Sequence, residues 1–177
     1  MKIRKFAAAL ALAAALPASL ASAHATFENK DAPAGATFKA ILTVPHGCDG
    51  QATQTVNIQI PEGFFSVKPM LKAGWDITLT QGDYAKTYSN HGNDVSSGVV
   101  GLTYSGNLPD DFFDQFIFRG TVDPDLEPGT PLFFIVTQSC ADGQVSWSEL
   151  PNPADPNAKL THPAPAITVA APVHSGH

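Results

Sequence analysis

Position 24 is a histidine that follows Ala21-Ser22-Ala23, a small-x-small triplet closing a segment with a basic start (Lys2, Arg4, Lys5), an apolar run from Phe6 to Leu16 and a helix-breaking Pro17. That order is the layout of a secretory signal peptide cut after Ala23. The processed chain is therefore expected to begin at His24, in the periplasm or outside the cell. A histidine with a free α-amine offers two nitrogen donors on one residue. The amine, with a pKa near ~8, is readily displaced from its proton at neutral pH, and with imidazole Nδ1 it closes a chelate ring on one ion. Two nitrogens so arranged suit the tetragonal preference of Cu(II), the tightest binder of the divalent series.

The other residues with reactive side chains offer less. His46 lies in Pro45-His46-Gly47 and His91 in Asn90-His91-Gly92-Asn93, both with the composition of solvated turns. His162 precedes Pro163 in a proline-rich stretch, and His174 and His177 form a terminal pair able to scavenge metal only weakly. Met70 is a lone thioether, which reads as packing rather than as a Cu(I) ligand. Cys48 and Cys140 are far apart and in no CxxC-type spacing, so in an oxidising compartment they read as a disulfide rather than as soft copper ligands. Neither HExxH nor GxSxG occurs, and no glycine-rich phosphate loop appears, which removes the usual footholds of zinc hydrolases, serine hydrolases and nucleotide enzymes.

Those residues must be held by strands. Thr55 to Ile60 alternates polar and apolar, and Phe38, Ala40, Leu42 and Val44 share the same two-residue period. Trp75 to Thr80, Val99 to Tyr104, Phe112 to Arg119, Leu132 to Thr137 and Gln144 to Leu150 also read as strands, the apolar run Leu132 to Val136 as one covered on both faces. Trp75 begins its strand and reads as core. Asp142-Gly143 has the composition of a type I′ hairpin turn. Many short strands separated by Gly and Pro turns predict an all-β fold, a single β-sandwich. The expected organisation is a signal peptide (1–23), a sandwich domain (24–150) and a Pro/Ala-rich C-terminal extension (151–177), with a further strand at 166–170 and a mobile tail from Val173.

Of the ten basic residues, three lie in the first 23 positions, which hold none of the sixteen acidic ones. The remaining 154 positions thus carry seven basic against sixteen acidic residues, a formal charge of −9, which repels nucleic acid. The apolar run near the start falls short of the about 20 residues that span a bilayer, and no later run anchors the processed chain.

Taken in order, several short motifs resemble the YcnI-like copper-binding proteins. These are His24 after the signal, Val44-Pro45-His46-Gly47-Cys48, Ile60-Pro61-Glu62-Gly63, Lys68-Pro69-Met70 before Ala73-Gly74-Trp75, Phe116-Ile117-Phe118-Arg119-Gly120, and Gln138-Ser139-Cys140 through Trp147-Ser148-Glu149-Leu150-Pro151. The resemblance implies a β-sandwich of cupredoxin-like or immunoglobulin-like shape. It further implies one Cu(II) held by the amine and imidazole of His24, a carboxylate and the nearby Trp147. The family often places an acid just before the phenylalanine matching Phe116, where this chain has Gln115. Asp114, one residue earlier and on the opposite strand face, and Glu149, on the face of Trp147, are the candidate carboxylates.

These readings predict an exported, non-enzymatic copper-binding protein that handles or delivers copper, with periplasmic copper-trafficking proteins as partners. A copper oxidase or monooxygenase is the competing reading; it calls for a second imidazole, from His46 or His91. A metal-free interaction module of the envelope is the third.

Overall fold

A side chain every second residue faces the core in the strands of this chain, and that alternation accounts for most of its architecture. The computed structural model describes residues 24–90 and 92–172; the signal segment, His91, His174 and His177 lie outside them. The strands are β1 (Thr26–Phe27), β2 (Asp31–Pro33), β3 (Thr37–Val44), β4 (Thr53–Gln59), β5 (Phe64–Pro69), β6 (Asp76–Asn90), β7 (Asn93–Leu108), β8 (Asp114–Val122), β9 (Pro131–Phe133), β10 (Ile135–Ser139), β11 (Gln144–Trp147) and β12 (Ala166–Ala170). No helix occurs among the described residues.

One sheet runs β1-β3-β8-β5 and a second β11-β10-β4-β7-β6. Between them lie Phe27, Leu42, Phe64, Phe116 and Phe118 from the first and Val56, Ile58, Leu102, Tyr104, Val136 and Trp147 from the second, all buried. The fold is all-β, an immunoglobulin-like sandwich. Cys48 and Cys140 are bonded to each other, so neither is available as a copper ligand. A loop closed over 92 residues stabilises the fold by roughly 4–5 kcal/mol in the chain-entropy treatment.

Four expectations change. The run from Leu132 to Val136 is apolar because it changes sheets, not because it is one doubly covered strand. β9 joins a small third sheet, β2-β12-β9, β10 joins the five-stranded one, and Phe134 between them packs against Phe27 and Phe64. The strand expected at 166–170 forms as β12, but it is stitched into the sandwich, parallel to β2 and antiparallel to β9, with Ile167 and Val169 in the core. β8 starts at Asp114 rather than Phe112, because Phe112 N–H closes a turn onto Pro109 O and leaves both Phe112 and Phe113 exposed. The β10–β11 connection is a four-residue loop, Cys140 to Gly143, closed by Cys140 N–H to Gly143 O. Gly143 is not at positive φ there; the disulfide and the Gln51–Asp142 hydrogen bonds hold a wider loop than a two-residue I′ turn.

The hairpin of β6 and β7 is far longer than the two short strands read from sequence. Its outer half, past the irregularities after Thr80 and Asp83, folds back over the first sheet. Tyr88 stacks on Phe65 with ring centroids 4.3 Å apart. Its hydroxyl donates to Glu62 and accepts from Gly63 N–H, while Lys86 binds the buried carboxylate of Asp123 at 2.7 Å.

Candidate metal site at the first strand

Ala25 and Phe27 are buried beneath β1 while Thr26 is exposed and His24 is only partly covered. The strand is fixed by pairing of Thr26 with Thr43 and Phe27 with Leu42. His24 therefore stands at the rim of the core, and its imidazole meets Trp147 edge to face, ring centroids 5.7 Å apart at 80°. Trp147 closes β11 opposite Val136 and is 4% exposed. Its indole Nε1 is buried with no hydrogen-bond partner among the described residues. A shallow cavity of about 310 Å³ opens beside His24, lined also by Lys30, Pro163, Ala164, Ala166 and Thr168.

The second aromatic neighbour of Trp147 is His162, centroids 5.3 Å apart. It comes from the proline-rich connector that follows Leu150. Glu149 holds it there. The Glu149 carboxylate accepts the backbone N–H groups of Thr161 (2.7 Å) and His162 (3.1 Å), and the N–H groups of Ser148 and Glu149 both donate to His162 O. Glu149 thus ties the connector down. No local pattern marks His162, because a fold-back after a proline-rich segment creates the contact.

Asp114 opens β8 opposite Val44, with Gln115 opposite Thr43, so the two do point to opposite faces. The Asp114 carboxylate is taken by Lys72 Nζ at 2.6 Å and by the N–H of Gln115 at 2.8 Å. Gln115 Nε2 donates to Glu28, which also accepts from Thr43 Oγ1. The Gln115 amide thus ties Glu28, just after β1, to β8. Among the described residues no three or more His, Cys, Asp and Glu side chains gather in a group that could hold a metal. His24 and Trp147 are brought together; Asp114 is held in an ion pair and Glu149 in backbone hydrogen bonds.

His46 serves its turn: Nδ1 lies 2.7 Å from Gly47 O, and its carbonyl accepts from the buried Gln138. Met70 is exposed rather than packed. Trp75 is partly buried against Phe116. No helix among the described residues is long and apolar enough to cross a membrane.

Residues 24–169 match the family described as "Domain of unknown function (DUF1775)", to which YcnI-like proteins belong. A crystal structure of an uncharacterized protein from Nocardia farcinica, described as revealing an immunoglobulin-like fold, is similar, with a TM-score of 0.61 and 22% identity over 83% of this chain and 98% of that one. No curated protein matches the chain.

Proposed function

The chain belongs to the DUF1775 family, and from that membership and the site at its first strand we propose that it is an exported copper-binding protein, taking Cu(II) at His24 for periplasmic handling or delivery. The observation that carries the reading is the edge-to-face contact of His24 with the buried Trp147 at the residue where the family match begins. After cleavage before His24 the amine and imidazole supply two nitrogens, and the indole walls one side of the ion from solvent. The Asp114 and Glu149 carboxylates are engaged elsewhere. The remaining positions then fall to water or to a donor from a partner. Few protein ligands favour exchange over permanent burial, which suits carriage rather than catalysis.

The test alters the amine and leaves the fold alone. A chain of residues 24–177 with a methionine ahead of His24 converts the amine to an amide, whose proton must be displaced before it can bind. Competition against a mild chelator is expected to show at least ~10-fold weaker Cu(II) binding than the processed chain, about 1.4 kcal/mol, and His24→Ala a similar loss. Acid releases the ion, since both nitrogens must be deprotonated to bind. Equal affinity in the extended and processed chains would refute the terminal chelate.

A further inference from the structure

Seven basic residues remain beyond residue 23, and three of them stand in a single cross-strand row. Lys39 of β3 lies opposite Arg119 of β8, and Arg119 lies opposite Lys68 of β5. All three are exposed on the outer face of the first sheet. Like charges directly opposite one another destabilise a sheet. In a chain this acidic, a carboxylate on a neighbouring strand would be the ordinary remedy. Among the described residues, none of the three has a carboxylate within ion-pair distance; the ion pairs involve Lys72 and Lys86 instead.

The row is built by a backbone irregularity. Phe65 pairs with Thr121 but Lys68 pairs with Arg119, so β5 carries one extra residue between them. Regular pairing would put Val67 opposite Arg119 and turn Lys68 toward the core opposite Phe118. The bulge reverses that: Val67 is buried and Lys68 joins the cations. It has a conformational cost, since Ser66 sits at φ 53°, a region a residue with a Cβ enters only under constraint. The constraint comes from the folded-back hairpin, where Tyr84 Oη accepts the Ser66 N–H and Asn90 Nδ2 donates to Ser66 Oγ.

Two cavities flank the row and share Lys68 and Arg119. One, about 280 Å³, is polar, with Thr37, Ser66, Asn90 and Thr121 on its walls. The other, about 320 Å³, adds Lys39 and the apolar Pro69, Met70 and Ile117. We propose that this row is a binding site for an organic phosphate, independent of the metal site. The planar fork of Arg119 matches two phosphate oxygens, the flanking ammonium groups neutralise the remaining charge, and the side with Met70 and Ile117 receives an apolar body.

A phosphate of this kind can come from a small soluble ester or from a lipid headgroup, and the test separates them. Binding of phenyl phosphate to the metal-free chain is measured by calorimetry. Sedimentation is measured with mixed phosphatidylglycerol–phosphatidylcholine vesicles and with pure phosphatidylcholine ones. Arg119→Gln and Lys68→Gln are each expected to weaken binding by about tenfold or more, as loss of a charged hydrogen-bond partner does. Their melting temperatures should equal or exceed the parent's, because opposed charges have been removed; Lys159→Gln, outside the row, should change neither. Phenyl phosphate binding alone assigns a soluble ester. Binding to the anionic vesicles but not the neutral ones assigns a headgroup. No binding of either probe, or binding that survives both glutamine variants, overturns the proposal.

Discussion

Among the described residues nothing accepts the buried indole N–H of Trp147, which is flanked by His24 and His162. An unsatisfied buried donor costs on the order of 1–3 kcal/mol, so the indole is placed there against an energetic preference. Packing alone would be served as well by an apolar ring. The proximity gives an optical test of the copper reading. Cu(II) on the His24 imidazole would lie against the indole, so loading the processed chain should quench Trp147 emission. Trp75→Phe should leave that quenching nearly whole and Trp147→Phe should abolish most of it, checked by titrating Cu(II) into each variant. Quenching that follows Trp75 would move the ion away from β1. At this scale the sequence yields types and not neighbours. A two-residue period turns Trp147 inward with Val145, and the order of motifs ties it to His24. Nothing near position 162 announces that His162 will lie against the same indole, because the contact depends on where the connector returns. Gln115 shows the converse: its amide meets Glu28, a neighbour that becomes visible only across two strands.

Strands with one buried face, such as Thr55 to Ile60, are legible because alternation is what burial of one face demands. The outer half of the β6–β7 hairpin escapes that rule. Its residues are mostly exposed on both sides, so no apolar rhythm marks it, and its partner is the back of another sheet. What fastens it is a small set of side chains: Tyr88 on Phe65, Tyr88 to Glu62, and Lys86 to Asp123. Burial, reinforced by the Glu62 hydrogen bond, raises the Tyr88 phenol from its ordinary value near 10 to about 12. A group whose folded pKa lies above its unfolded one stabilises fully below the unfolded value and loses that contribution as pH climbs to the folded one. The clasp should therefore weaken between about pH 10 and 12, and not in acid through this group. Alkaline absorbance titration should show one phenolate appearing near pH 12 that Tyr88→Phe removes. Ionisation of Tyr88 at an unshifted pH would mean that the hairpin does not lie on the sheet. The same clasp holds Ser66 in its bulge through Tyr84 and Asn90, so the cationic row depends on it.

At the scale of the whole molecule, both ends of the described chain meet in the small sheet β2-β12-β9, which the composition of 151–165 conceals. Proline, alanine and asparagine in that stretch look like the start of a peripheral extension, yet they only bridge the gap to β12. The disulfide closes residues 48 to 140 and leaves β1, β2, β3, β11 and β12 outside its loop. Those five strands are held by strand pairing and packing, without help from the disulfide. Ile167, fully buried, and Val169 carry that load for β12, and Thr168 N–H donates to Lys30 O beneath the cavity next to His24. Removing everything after Leu150 should therefore do more than trim a tail. It would open β2 and β9 along their shared neighbour and strip the far wall of the His24 cavity. A chain of residues 24–150 is expected to lose cooperative unfolding in denaturant even with the disulfide intact. Ile167→Ala in the full processed chain should remain folded but lose about 2–5 kcal/mol, the usual cost of truncating a fully buried aliphatic side chain. Asn157→Ala, on the exposed connector, should cost almost nothing and serves as the control. If the 24–150 chain unfolds with the midpoint and slope of the processed one, β12 is an ornament on a self-sufficient sandwich, and the domain ends where the sequence pattern first suggests.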